Sequence, residues 1–210
     1  IRQGLVPARV LMMSGRRNLV YTIGENRPAG VGHEIFYPIG DSDGTLMEIA
    51  SINLYSFILA NGRLERTTNR AVGLGIGVER LAVAAWRLRS VFQLPSLSSL
   101  LDHITKNHGG ELERTLYWPY FAQLADRIRA LVFAIADGQQ LDGSPRGRTL
   151  SSFLKTVTNL SVLLGLEIVP VLEGALEVIS QHYEQDYPHL AGVRDGLFAT
   201  HCEWSRRQSI

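Results

Sequence analysis

Cysteine is nearly absent from this chain. Cys202 is the only one among 210 residues, which excludes an internal disulfide framework and any cysteine-rich metal site, and fits a reducing compartment such as the cytoplasm. Lysine is almost as scarce. Of the 21 basic residues 19 are arginine, and only Lys106 and Lys155 are lysine. A bidentate grip on phosphate or carboxylate needs arginine, but GC-rich coding produces the same bias. An excess of charge is also lacking. The formal net charge is +1, so bulk electrostatics do not announce a nucleic-acid binder. No apolar run approaches the ~18 residues of a membrane-spanning helix. The opening Ile1-Arg2-Gln3-Gly4 has neither an initiating Met nor the charged-then-apolar order of a signal peptide. What is present is ordinary for a folded domain: 45% hydrophobic and 20% charged residues.

The first ninety or so residues read as strands and turns. Leu19 to Ile23 is a short apolar strand, followed by the breaker-rich run Gly24-Glu25-Asn26-Arg27-Pro28-Ala29-Gly30-Val31-Gly32 and a strand over His33 to Tyr37. The longest strand candidate runs from Leu46 to Leu59. Ser51, Asn53 and Tyr55 fall on one face of it, Glu48, Ala50 and Ile52 on the other. Both faces are largely apolar, which predicts a central strand covered on both sides. Asn61-Gly62 is a hairpin turn, so the strand from Thr67 to Ile76 returns antiparallel. A helix then runs from Gly77 to about Phe92. From Pro95 the apolar period changes to about 3.6. It predicts helices through Phe121 to Ile135, Leu150 to Leu164 with Gly165 just beyond the end, Leu172 to Tyr183, and His189 to Glu203. The fold class is α+β, with a boundary near residue 93.

The sharpest chemical feature is Gly73-Leu74-Gly75-Ile76-Gly77-Val78-Glu79-Arg80-Leu81. Alternate glycines leave one strand face bare, so a flat ring such as a purine can lie on the backbone; close packing against a neighbouring strand needs the same pattern. Arg80, at the start of the following helix, stands where a phosphate would be met. The spacing is not the dinucleotide fingerprint. His103 and His108 lack the spacing of a helical zinc pair. His182, His189 and His201 read as surface residues, and Trp86, Trp118 and Trp204 as packing residues.

The strand–Gly-x-Gly-x-Gly-x-Glu-Arg–helix arrangement resembles motif 3 of class II aminoacyl-tRNA synthetases, and the chain resembles the alanyl-tRNA synthetases in particular. The run from Gly24 to Tyr37 parallels that family's Gly-Asp-x-Gly-Pro-Cys-Gly-Pro-Cys-x-Glu-Ile-x-Tyr. Leu46 to Phe57 with Asn61-Gly62 parallels its long strand and turn. Ala125-Asp126-Arg127-Ile128-Arg129, Ile135-Ala136-Asp137-Gly138 and Arg146-Gly147 parallel segments of its helical domain. The resemblance implies a division into residues 1–92, the back half of a class II catalytic domain with motif 3 at 73–81, and 93–210, a helical domain similar to the family's tRNA-recognition domain. It implies ATP as cofactor, with Gly75 and Gly77 under the adenine and Arg80 on the terminal phosphates. Glu48 is either a Mg²⁺ ligand or an acid paired with a nearby arginine. The substrate pocket would hold Tyr21, Ser51, Asn53 and Gly73. No zinc is expected in this segment.

Departures from the family pattern shape the functional expectation. The family's motif 3 begins with an Asp that binds the ammonium of alanine, and here that position is Gly73. Its Trp-Asn pair becomes Ser51 and Asn53, read equally as a rebuilt polar pocket or as hydrogen-bonded core. The helix after Arg146-Gly147 keeps one positive charge, Lys155, so recognition of tRNA through that surface is not expected. The reading is a cytoplasmic ligase that activates an amino acid or related carboxylate with ATP and Mg²⁺. The alternative is a non-catalytic paralogue serving regulation or assembly. Motifs 1 and 2 would lie before Ile1, supplied in cis or by a partner chain, and the sheet is expected to present an unfinished edge.

Overall fold

The structure, a computed structural model, describes the backbone of residues 20–22 and the whole of residues 26–39, 45–106 and 115–208. It divides into two compact units, Ile1–Val91 and Phe92–Ile210. An antiparallel sheet comes first and helices follow, an α+β fold.

The sheet has four strands in the order of the chain: β1 (Val20–Thr22), β2 (Arg27–Pro38), β3 (Leu46–Ala60) and β4 (Arg63–Ile76). The β3–β4 hairpin closes through Asn61 and Gly62, both with positive φ (50° and 70°), the geometry of a two-residue turn that matches strand twist. The breaker-rich run after residue 24 is itself strand from Arg27 onward. Gly30 shows why glycine is required there: a β-carbon on it would stand 1.8 Å from the Leu54 carbonyl oxygen. The adjacent register shift between Ala29 and Gly30 fits such a close backbone approach.

The long central strand is not covered as its two apolar faces predict. Val72, Leu74 and Ile76 of β4 are 70%, 61% and 50% exposed, and Leu54 of β3 and Ile35 of β2 also lie open. The first helix, α1 (Val78–Ala85), packs on β3 and ends well before Phe92. Arg87 adopts φ 55°, and the Leu88 and Arg87 N–H groups donate back to the Val83 and Ala84 carbonyls. That closure usually falls on glycine, so the sequence carries no signal for it.

The helical unit contains α2 (Pro95–Thr105), α3 (Trp118–Ala136), α4 (Pro145–Leu163), α5 (Ile168–Tyr183) and α6 (Val193–Gln208), with a 3₁₀ turn over Pro188–Gly192 just before α6. That turn replaces the start at His189 expected from periodicity. Gly165 takes φ 64° beyond α4, as its position after the last apolar residue predicts. Phe121, Leu124, Ile128, Leu154 and Leu172 are fully buried in one core, each worth roughly 1.5–3 kcal/mol of burial. Trp204 belongs to that core and donates from Nε1 to Ser151 Oγ at 3.2 Å. Trp86 and Trp118 are instead 61% and 45% exposed, against the packing role expected of them.

Candidate functional site

The site is built by the register of three strands. Asn53 of β3 lies opposite Gly73 of β4 and Gly32 of β2, while Ser51 lies opposite Gly75 and Glu34. Directly paired residues share a sheet face. One face therefore carries a central column of β3 side chains flanked by glycines on both neighbours. Bare backbone on either side of a polar column makes a shallow surface on which a planar group can rest.

Each glycine of the β4 row meets a specific side chain. A β-carbon at Gly75 would stand 3.1 Å from Ser51 Oγ, and one at Gly77 would stand 3.1 Å from Arg80 Cδ. At Gly73 it would stand 2.8 Å from Tyr55 Cε2 and 3.3 Å from the Tyr55 hydroxyl oxygen. Tyr55 is thus part of the site although sequence reasoning left it out. Its signal was available: it follows Ser51 and Asn53 at period two on the same strand face.

Where β4 passes into α1, Gly77 donates its N–H to the Ile49 carbonyl at 3.1 Å, joining the helix start to the middle of β3. Arg80 consequently reaches back over Gly77. Its Nη1 donates to the Glu48 carbonyl oxygen at 3.1 Å and approaches Glu48 Oε2 at 3.5 Å. The two side chains are 49% and 37% exposed, so this is a solvated pair of small energetic weight. Its interest lies in placement, because it holds a guanidinium at the end of the glycine row. Tyr21 stands on β1 opposite Gly30, which in turn pairs with Tyr55; beyond that backbone register its side chain lies outside the described residues.

The four arginines considered for a basic helical surface are largely engaged within the protein. Arg127 stacks on Phe153 with its guanidinium 5.0 Å from the ring centre. Arg129 donates to Asp126 Oδ1 at 3.3 Å and to the Tyr183 hydroxyl at 3.5 Å, and Arg148 donates to the Gly143 carbonyl. Arg146 lines a cleft of about 350 Å³ with Asp137, Gln139, Thr149 and Phe153. His103 packs against Gly174, where an added β-carbon would overlap its ring. His189 Nε2 lies 3.2 Å from Asp137 Oδ1. His108 is outside the described residues.

No family model matches the chain. Curated proteins do, across essentially its whole length. The alanine–tRNA ligase of Chloroflexus aurantiacus is 27% identical over 222 aligned residues, which cover 100% of this chain and 24% of that protein. The chain resembles alanine–tRNA ligases. Those of Staphylococcus saprophyticus and Acetivibrio thermocellus are each 26% identical, over 91% and 90% of this chain and 23% of their own length. The chain therefore spans about a quarter of the length of the ligases it matches.

The residues on the page fit a nucleotide better than a protein-caged metal. Among the described residues no group of three or more His, Cys, Asp or Glu side chains is placed to hold a metal ion. A single half-exposed carboxylate, Glu48, suits Mg²⁺, which keeps most of its waters and takes one or two carboxylates together with substrate phosphates.

Proposed function

We propose that this chain forms the nucleotide- and acid-binding part of an alanine–tRNA ligase-like enzyme that activates a carboxylate with ATP. The observation that carries the reading is the glycine row on β4, with Ser51 lying against Gly75 and the Arg80 guanidinium held at the far end. Gly75 and Gly77 would lie under the adenine, Arg80 would hold the terminal phosphates, and Glu48 would hold Mg²⁺. When bound, ATP supplies an α-phosphorus that a carboxylate oxygen can attack with release of pyrophosphate.

The contribution of the protein's own groups is electrostatic and positional. Arg80 places a fixed positive charge where negative charge grows as the leaving group departs, and no reorganisation is then needed at that moment. Glu48 orients Arg80 while the phosphates are absent, and it exchanges the guanidinium for the cation when both ligands arrive. Ser51 and Asn53 supply hydroxyl and amide groups toward the acid.

The test is ATP–Mg²⁺ binding by calorimetry in the natural full-length protein, followed by pyrophosphate exchange over a panel of amino and other carboxylic acids. Arg80→Ala should weaken ATP binding by at least about tenfold, the order expected for losing a charge-assisted contact. Absence of ATP affinity in the wild-type protein would sink this reading in favour of a non-catalytic paralogue.

A further inference from the structure

The end of the site around Gly73 contains more than an absent side chain. Tyr55 lies diagonally across the β3–β4 pairing, with its ring over the Gly73 backbone. At 2.8 Å from Cε2, a β-carbon at position 73 cannot coexist with the ring where it stands. The space that a residue-73 side chain would occupy is filled from the neighbouring strand by a neutral phenol. Asn53 faces Gly73 directly and adds an amide.

The charges around this end are few. Glu48 is paired with Arg80 at the Gly77 end. Glu34 shares the sheet face but lies opposite Ser51, in the row of Gly75. From there it is one side-chain repeat along the strands and two strands across from Gly73, roughly 12 Å between α-carbons on standard sheet spacings. An ammonium brought to Gly73 would meet hydroxyl and amide oxygens but no adjacent carboxylate, and a cation taken out of water without a counter-charge is strongly disfavoured. A neutral hydroxyl differs in that it both donates and accepts, as do the Tyr55 phenol and the Asn53 amide. A phenol has one donor and additional acceptor capacity, so a contact within the protein still leaves it able to serve a ligand.

From this geometry we infer that Tyr55 sets the specificity of the site, closing the Gly73 end to an α-ammonium and offering hydrogen bonds to an uncharged α-substituent, so that the acid bound is an α-hydroxy carboxylate. This deepens the ATP-dependent reading and rests on it for the location of the acid, yet its test does not depend on catalysis. Ligand-observed NMR on the natural full-length protein, with L-lactate and L-alanine as probes, reads the acid directly. ATP calorimetry on the same samples reports separately on the nucleotide site.

Lactate should show saturation transfer that competes with no amino acid, and alanine should show none. Tyr55→Phe keeps the ring and removes the hydroxyl. It should weaken lactate about fivefold, the scale of one hydrogen bond, with ATP affinity unchanged. Gly73→Asp alone should bind neither acid, because the ring blocks the new carboxylate, whereas Gly73→Asp with Tyr55→Ala should gain alanine. Alanine binding to the wild-type protein would overturn the inference, and its loss in Glu34→Gln would identify Glu34 as the counter-charge. Alanine binding by Gly73→Asp alone would overturn the steric role of Tyr55. Binding of neither acid to the wild-type protein, with ATP still bound, would overturn the assignment of the acid while leaving the nucleotide reading in place.

Discussion

The sheet unit and the helical unit treat their apolar residues in opposite ways. The helical unit closes a single core in which Phe121, Leu124, Ile128 and Leu172 are inaccessible to solvent. The sheet unit leaves Val72, Leu74 and Ile76 half to mostly exposed on β4 and buries few side chains completely, Val83 of α1 among them. Period 3.6 gathers apolar residues into a stripe that neighbouring helices can cover within the same unit. A strand that is apolar on both faces needs a layer on each side, and the described residues do not provide both. The glycine row adds to the difference, since it brings no side chains to bury. Self-sufficient stability and an open, ligand-sized surface are thus assigned to different halves of the chain.

The largest test of that contrast truncates one large residue in each unit. Phe121→Ala should destabilise the helical unit by about 3–5 kcal/mol, while Leu74→Ala should change stability by no more than about 0.5 kcal/mol, both read from thermal melts by far-UV circular dichroism. A severe Leu74→Ala effect in the natural full-length protein would mean that the face is covered there, and the contrast would belong to this chain alone.

Backbone packing gives the next largest effect. Gly30→Ala places a methyl group against the Leu54 carbonyl and should cost about 2–3 kcal/mol, seen as lost hydrogen-exchange protection across β2 and β3. Gly75→Ala meets only the tip of Ser51 and should stay under about 1 kcal/mol. Comparable losses at the two sites would show that the sheet is uniformly tight and that the row is a packing device.

Smaller still is a cap in the helical unit. Ser144 Oγ accepts the Gly147 N–H at 3.0 Å at the start of α4, so Ser144→Ala should lower stability by about 1 kcal/mol in urea denaturation.

The smallest effect is acid sensitivity, and both shifted groups lie in the helical unit. Burial holds His201 below its ordinary value of 6.5. Its unfolded form therefore takes up a proton first, and stability is complete above about pH 6.5 and falls as the pH drops below it. Hydrogen bonds from Ser144, side chain first and then backbone, hold Asp142 below its ordinary 3.8. Its contribution is complete above that value and is lost as the pH falls through the lowered one. Melting temperatures from pH 8 to 3 should decline first in the His201 range and then in the Asp142 range. His201→Gln should remove the first decline and Ser144→Ala should reduce the second.

Legibility from sequence followed the range of the interaction. Helix periods, the Asn61-Gly62 turn and the Gly165 stop depend on residues a few positions apart, and all of them stand in the structure. The strand through Pro28, Gly30 and Gly32 was hidden because its glycine answers a carbonyl on another strand. The early end of α1 was hidden because an arginine occupies a backbone conformation that usually announces itself with glycine. Trp86 and Trp118 were misjudged because apolar neighbours in sequence do not ensure a covering layer in space. At the site, the candidates on β3 and β4 could be named from spacing, but Tyr55 required the register.

By itself, the sequence determined the α+β order, the bare glycine face of β4 and the resemblance to alanine–tRNA ligases, because each is written in short-range periodicity or in ordered motifs. Tertiary structure alone decided that Tyr55 stands over Gly73, that Arg80 pairs with Glu48, and that the sheet lies open while the helices close. Those outcomes turn on strand register, on the register shifts beside Ile35 and Tyr55, and on which surfaces find a partner, and a shift of one residue in pairing would move every one of these side chains to the other face.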